Sequence, residues 1–186
     1  MTRTKLFKLT KIIIITAFLI TACEVEEVSK NQLRLARFAV KKDDLPIGWT
    51  FSNQDWNQHL GGEEFSVAYG VPDDGVIRFV HAISFYPAEE DADEAYPKWE
   101  NEVFNGAWEP WDEANFKPQN SNDLFRFECL QLTVDSPVVS CLYLQLHNQF
   151  VSYVLVNLDS EAMTFEQLNE ILAVLDRRLN EVSMDD

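Results

Sequence analysis

Residues 124–182 read LFRFECLQLTVDSPVVSCLYLQLHNQFVSYVLVNLDSEAMTFEQLNEILAVLDRRLNEV, and a change of period inside this stretch decides the fold class. Up to Leu158 β-branched and aromatic residues dominate, interrupted by the turn-forming Asp135-Ser136-Pro137, so two or three strands are expected, with Phe125 to Leu132 and Ser140 to Leu146 as a hairpin. After Thr164 the spacing becomes helical. Leu168, Ile171, Leu172, Leu175, Leu179 and Val182 fall on one face, and Thr164 with Gln167 three residues later forms a capping box. Strands that run together and then yield to a helix indicate segregated α+β architecture, not alternating βαβ units.

Toward the N-terminus the same alternation repeats. Glu64 to Val71 and Val76 to Tyr86 read as strands around the turn Pro72-Asp73-Asp74-Gly75. Ile77, Phe79, His81, Ile83 and Phe85 share the buried face of the second. Glu89 to Asn105 reads as a helix with the stripe Ala92, Ala95, Tyr96, Trp99 and Val103, acids at its positive end and Pro97 removing one backbone bond. Lys30 to Val40 reads as a short helix carrying Leu33, Leu35, Ala36, Ala39 and Val40. It is followed by Asp44-Leu45-Pro46-Ile47-Gly48-Trp49, in which Pro46 holds Leu45 extended and Gly48 permits a bend that lets Leu45 and Trp49 enter the core. The expected fold is a single α+β domain over residues 30–184, a mainly antiparallel sheet with N-terminal, central and C-terminal helices packed on it.

Residues 1–22 are of another kind. Arg3, Lys5, Lys8 and Lys11 precede the apolar run Ile12 to Ile20, too short to span a bilayer as a helix and laid out like a secretory leader. The run ends in Ile20-Thr21-Ala22-Cys23, which resembles a bacterial lipobox. The resemblance implies cleavage before Cys23, attachment of diacylglycerol to its thiol, and acylation of the new amine by a chain such as palmitate. Two or three chains make a stable anchor. The other reading is an ordinary signal peptide cut near Ala22 with Cys23 free. Residues 23–29 then form a short acidic tether, and the domain is expected on the extracytoplasmic side: at the outer face of the cytoplasmic membrane, or at the outer membrane where there are two.

The 186 residues carry 15 Lys and Arg against 31 Asp and Glu, a formal charge of −16. No basic footprint for nucleic acid is present. Losing the leader removes four cations and no acid, which takes the charge to −20. Such a surface repels anionic headgroups, so attachment is expected to rest on lipid at Cys23, with the domain facing away from the membrane. In an oxidising compartment the remaining pair, Cys129 and Cys141, is expected to bridge across the hairpin; a free redox pair or half a metal site are the alternatives.

Motifs for chemistry are sparse. There is no nucleophile elbow, His-Glu-x-x-His, phosphate-binding loop or EF-hand spacing, so no catalytic residue, metal or cofactor is expected. His81 on an apolar strand face reads as a hydrogen-bonded core residue. Asp73, Asp74 and the Glu89 to Glu94 cluster could bind Ca²⁺ loosely but read more readily as a solvated face. Gly61-Gly62-Glu63-Glu64-Phe65 resembles the signature pentapeptide of diguanylate cyclases, but the upstream ligands of that family are missing, and the glycines read as a loop leading into a strand. The most ligand-like stretch is Trp108-Glu109-Pro110-Trp111-Asp112. Its indoles and acids (Trp108, Trp111, Glu109, Asp112) could stack on a sugar or hold a cation; otherwise the rings plug the edge of the core.

The Asp44 to Trp49 run, the strand-to-helix passage Tyr86 to Ala95, the Cys pair and the terminal helix together resemble uncharacterised secreted bacterial domains. Their layout is similar to extracytoplasmic sensor domains of membrane Ser/Thr kinases. That resemblance implies a non-catalytic domain binding a small ligand or an envelope protein. The alternatives are an envelope hydrolase using Asp/Glu chemistry and a scaffold for an envelope complex.

Overall fold

The structure, a computed structural model, describes residues 30–71, 77–131, 138–159 and 161–182. The leader with Cys23, the 23–29 tether and the turns Pro72 to Gly75 and Thr133 to Pro137 lie outside the described residues. Helix α1 (Lys30–Phe38) leads through a short 3₁₀ turn (Lys42–Asp44) into strands β1 (Thr50–His59), β2 (Gly62–Gly70) and β3 (Ile77–Phe85). Helix α2 (Glu89–Val103) and an irregular crossing precede β4 (Leu124–Gln131), β5 (Val139–His147) and β6 (Phe150–Leu158), and α3 (Phe165–Val182) ends the domain. The expected α+β class is what the chain adopts.

All six strands form one antiparallel sheet in the order β1-β2-β3-β6-β5-β4. Period-2 alternation gives it two apolar faces. On one face α1 and α3 press Leu35, Phe38, Leu168, Leu172 and Leu175 against Phe65, Phe79, Tyr143 and Val154. On the other, α2 lays Ala92, Ala95, Tyr96 and Trp99 over Leu142, Leu144 and Val151. Of the expected stripes, Ala92, Ala95, Tyr96 and Trp99 of α2 and Leu168, Ile171, Leu172, Leu175 and Leu179 of α3 are buried, with Val103 half-buried. In α1 the buried side is Leu35, Phe38 and Ala39, while Leu33 points outward at 57% exposure, because a nine-residue helix on a sheet buries one narrow stripe only.

Strand β1 had no counterpart in the sequence reading. Its residues are almost all exposed: as an edge strand it brings only Trp56 to the core margin and His59 to helix α2, too little burial to impose an alternation. The pentapeptide has a local explanation. Leu60 (φ 48°) and Gly61 (φ 91°) make the two-residue β1–β2 turn, which needs positive φ at both centres. A Cβ on Gly62 would stand 2.9 Å from the Tyr86 ring. Glu63 then faces α1, where Asn31 Nδ2 donates to it at 3.3 Å, and Phe65 enters the core beside Trp56.

Asp44 to Trp49 is also structural. Asp44 takes both arms of Arg178 (2.8 and 2.7 Å) and the Lys41 amide (2.7 Å). Leu45 and Trp49 are buried, the Trp49 indole donates to the Ala162 carbonyl at 3.1 Å, and Gly48 supplies φ 101°. Cys129 and Cys141 are directly opposed across β4 and β5 and joined as a disulfide, both fully buried. A crosslink over so short a loop is worth about 3 kcal/mol.

Candidate functional site

Two buried histidines share the α1/α3 face of the sheet. His81 on β3 accepts the Val40 amide at Nδ1 (3.0 Å) and so carries its proton on Nε2, toward Ser152 Oγ (3.0 Å). Burial, and secondly the charge of Arg178, drive its pKa down to about 3, with Asp44 opposing weakly. It is a neutral core residue, as its strand face predicted.

His147 at the end of β5 has charged company. Its Nδ1 lies 2.9 Å from both oxygens of Asp123, so Nδ1 holds the proton, and Nε2 accepts from Asn148 Nδ2 at 3.2 Å. Gln145, one pleat away, bridges two carboxylates: its Nε2 donates to Asp123 Oδ2 (2.7 Å) and Asp176 Oδ1 (2.9 Å). Its carbonyl accepts the Tyr143 hydroxyl at 3.0 Å, which fixes the orientation of the amide. Asp176, wholly buried on α3, takes the Gln119 amide at 3.0 Å on its other oxygen. Burial, followed by the charges of Asp176 and Asp123, pushes the Tyr143 hydroxyl well up. Apart from the Asn148 amide on the imidazole, the donors of this set are spent on a carboxylate or an amide oxygen, and the two desolvated acids are held by neighbouring amides and the His147 ring, with no Lys or Arg among the described residues bonded to either.

The network reaches a polar recess of about 190 Å³ through Asp123 and Asn148, which line it together with Glu89 and Asp93 of α2, Asn120 and Asn122 of the crossing, and the apolar Leu124 and Leu146. Its polar lining is carboxylates and amides, an arrangement suited to cationic or donor-rich groups. Sequence reasoning missed this site. Its polar residues come from α2, the crossing and the turn after β5, with β5 and α3 behind Asp123, and no local motif joins them; the Glu89 to Glu94 acids and the polar Gln145 and His147 of an otherwise mostly apolar strand were the available signals. Among the described residues no group of three or more His, Cys, Asp or Glu is arranged to hold a metal ion, and no helix is long and apolar enough to cross a membrane.

A second polar cluster lies by the β1–β2 turn. His59 packs its ring on Trp99 (4.4 Å) and pairs with Glu102 at 3.1 Å. Glu64 accepts from Ser84 Oγ at 3.3 Å, and burial raises its pKa, with His59 and then Ser84 opposing.

The stretch around Trp108 and Trp111 is divided by the sheet edge. Glu109 exchanges backbone hydrogen bonds with Cys129 (3.0 and 2.9 Å), so the chain crosses β4 there. Trp108 falls on the α2 side, edge-on to Phe104, and Trp111 on the other side, stacked on Phe165. Both rings are half-buried against core clusters, while Glu109 and Asp112 are exposed. The two indoles do not face one another across a common cleft.

No protein-family model matches the chain, and no curated protein matches it. Among solved structures it is similar to the extracellular domain of PknH from Mycobacterium tuberculosis, at 11% identity and a TM-score of 0.49, over 80% of this chain and 96% of that one.

Proposed function

We propose that this is a bacterial lipoprotein, held by acyl chains at Cys23, whose extracytoplasmic domain binds a ligand or partner and performs no chemistry. The lipobox-like leader supports the anchor. The observation that carries the binding reading is the recess at Asp123. One of its carboxylates, Asp123, is held in place by Gln145 and His147, so a ligand meets that acceptor already oriented and less ordering is left to oppose binding. The chemistry of the lining favours a cationic group, an ammonium above all. Melting temperature followed with short amines, Ca²⁺, sugars and envelope extracts tests this. A rise with an amine or Ca²⁺ that Asp93→Asn removes is the expected result. No shift with any of them would overturn the small-ligand reading.

One observation favours a second reading, the hydrolase. Glu64 is a partly desolvated acid beside His59 and Glu102, the environment that keeps a carboxyl protonated for general-acid work. Turnover of an envelope glycan that Glu64→Gln abolishes would establish it; a broad substrate screen without turnover rejects it.

A further inference from the structure

We infer that the end of the sheet carrying the β1–β2 and β5–β6 turns faces the bilayer, and that the Ile47 loop is the outward pole of the domain. This rests on lipid attachment at Cys23. Strand register places Gly62, Phe85, Phe150, His147 and Leu124 at one end of the sheet. Helix α1 begins at that same end. Asn31 bonds Glu63 beside the β1–β2 turn, and the Arg34 guanidinium lies 5.6 Å from the rings of Phe85 and Phe150. The chain therefore leaves toward Cys23 from the turn end.

Two lengths decide the orientation. From Cys23 to Lys30 the backbone reaches at most about 25 Å when fully extended. Strands of nine and ten residues are about 30 Å long, and Ile47 lies past the opposite end, where α1 has run out and Tyr69 donates to the Val40 carbonyl. A domain resting on its Ile47 pole would lift Lys30 beyond the reach of its own tether. Exposed apolar side chains at the turn end, Leu60, Leu124 and Phe125, are compatible with the headgroup region. Ile47, at 106% exposure on a loop pinned by Arg178 and Trp49, is then offered to the envelope space, and the polar recess opens toward the membrane.

The full-length protein, purified from membranes with its anchor, is placed in vesicles of phosphatidylethanolamine and phosphatidylglycerol carrying a headgroup energy acceptor. Donor dyes are attached at Leu124→Cys or Ile47→Cys, both exposed positions, and the mass of the N-terminal peptide reports lipid at Cys23. Transfer several-fold more efficient from position 124 is expected. Equal transfer, or stronger transfer from position 47, with Cys23 lipidated overturns the orientation and leaves the anchor standing. A Cys23 without lipid overturns both.

Discussion

The surroundings of His81 and of His147 show how one residue type, equally buried on one face of one sheet, is put to opposite uses. His81 is 1% exposed and His147 2%. Around His81 each polar contact is a neutral group, Val40 N–H or Ser152 Oγ, and the ring joins α1 to the middle of the sheet. Around His147 the contacts are Asp123 and, through Gln145, Asp176. Burying a carboxylate costs several kcal/mol, and apolar residues in these places would hold β5 to α3 more cheaply. The proposed binding role of the recess, which Asp123 lines, gives this costly arrangement a use. The neutral histidine needs no such explanation.

Acid should separate the two regions most strongly. With His81 at about 3 in the folded state and near the ordinary histidine value of 6.5 when unfolded, only the unfolded chain takes up the proton as pH falls through 6.5. The stability this residue confers is complete above 6.5 and is lost toward pH 3, by about 4 kcal/mol over that span. Urea midpoints measured across this range should fall steeply for the native protein and less so for His81→Gln. Second in size, Gln145→Leu leaves Asp123 and Asp176 facing each other without their shared donor, and should cost about 3 kcal/mol by equilibrium unfolding.

Arg178→Met unties the Asp44 loop and should cost about 2 kcal/mol. It also withdraws a charge that lowers the pKa of His81, so the acid-dependent loss should shrink in the same variant. Glu64→Gln has a smaller effect of opposite sign. Burial holds the folded pKa of Glu64 above the ordinary glutamate value of 4.5, so its favourable contribution is present below 4.5 and disappears as pH rises through the raised value. The variant should gain on the native protein in thermal midpoint as pH rises from 4 to 7. Asp93→Asn, on the exposed rim, should change stability by less than about 0.5 kcal/mol while weakening the ligand response, which separates recess from scaffold.

What could be read from the chain follows the same division. The terminal helix declared itself because Thr164 and Gln167 cap it reciprocally, the Thr164 amide bonding Gln167 Oε1 at 2.9 Å and the Gln167 amide bonding Thr164 Oγ1 at 3.3 Å. His81 was legible because its neighbours two residues away, Phe79 and Ile83, state the burial of the face. Strand β1 was silent because an exposed edge imposes no apolar period. The Asp123 site was silent because its partners are 22 to 31 residues from Gln145 in sequence, and only the pairing of β4 with β5 and the return of α3 bring them together. For Trp108 and Trp111 the sequence offered both a ligand platform and plugs for the core edge; the crossing at Glu109 sends them to opposite faces, each packed against a core cluster.

Imidazole nitrogen–proton NMR on the chain from residue 24 tests the central claim most directly. The free protein should show His147 protonated at Nδ1 and His81 at Nε2. On titration with the amine or Ca²⁺ that raises the melting temperature, the His147 and Asn148 signals should move and those of His81 should stay fixed. Signals moving elsewhere while His147 remains unchanged would contradict the assignment of the recess as the binding site.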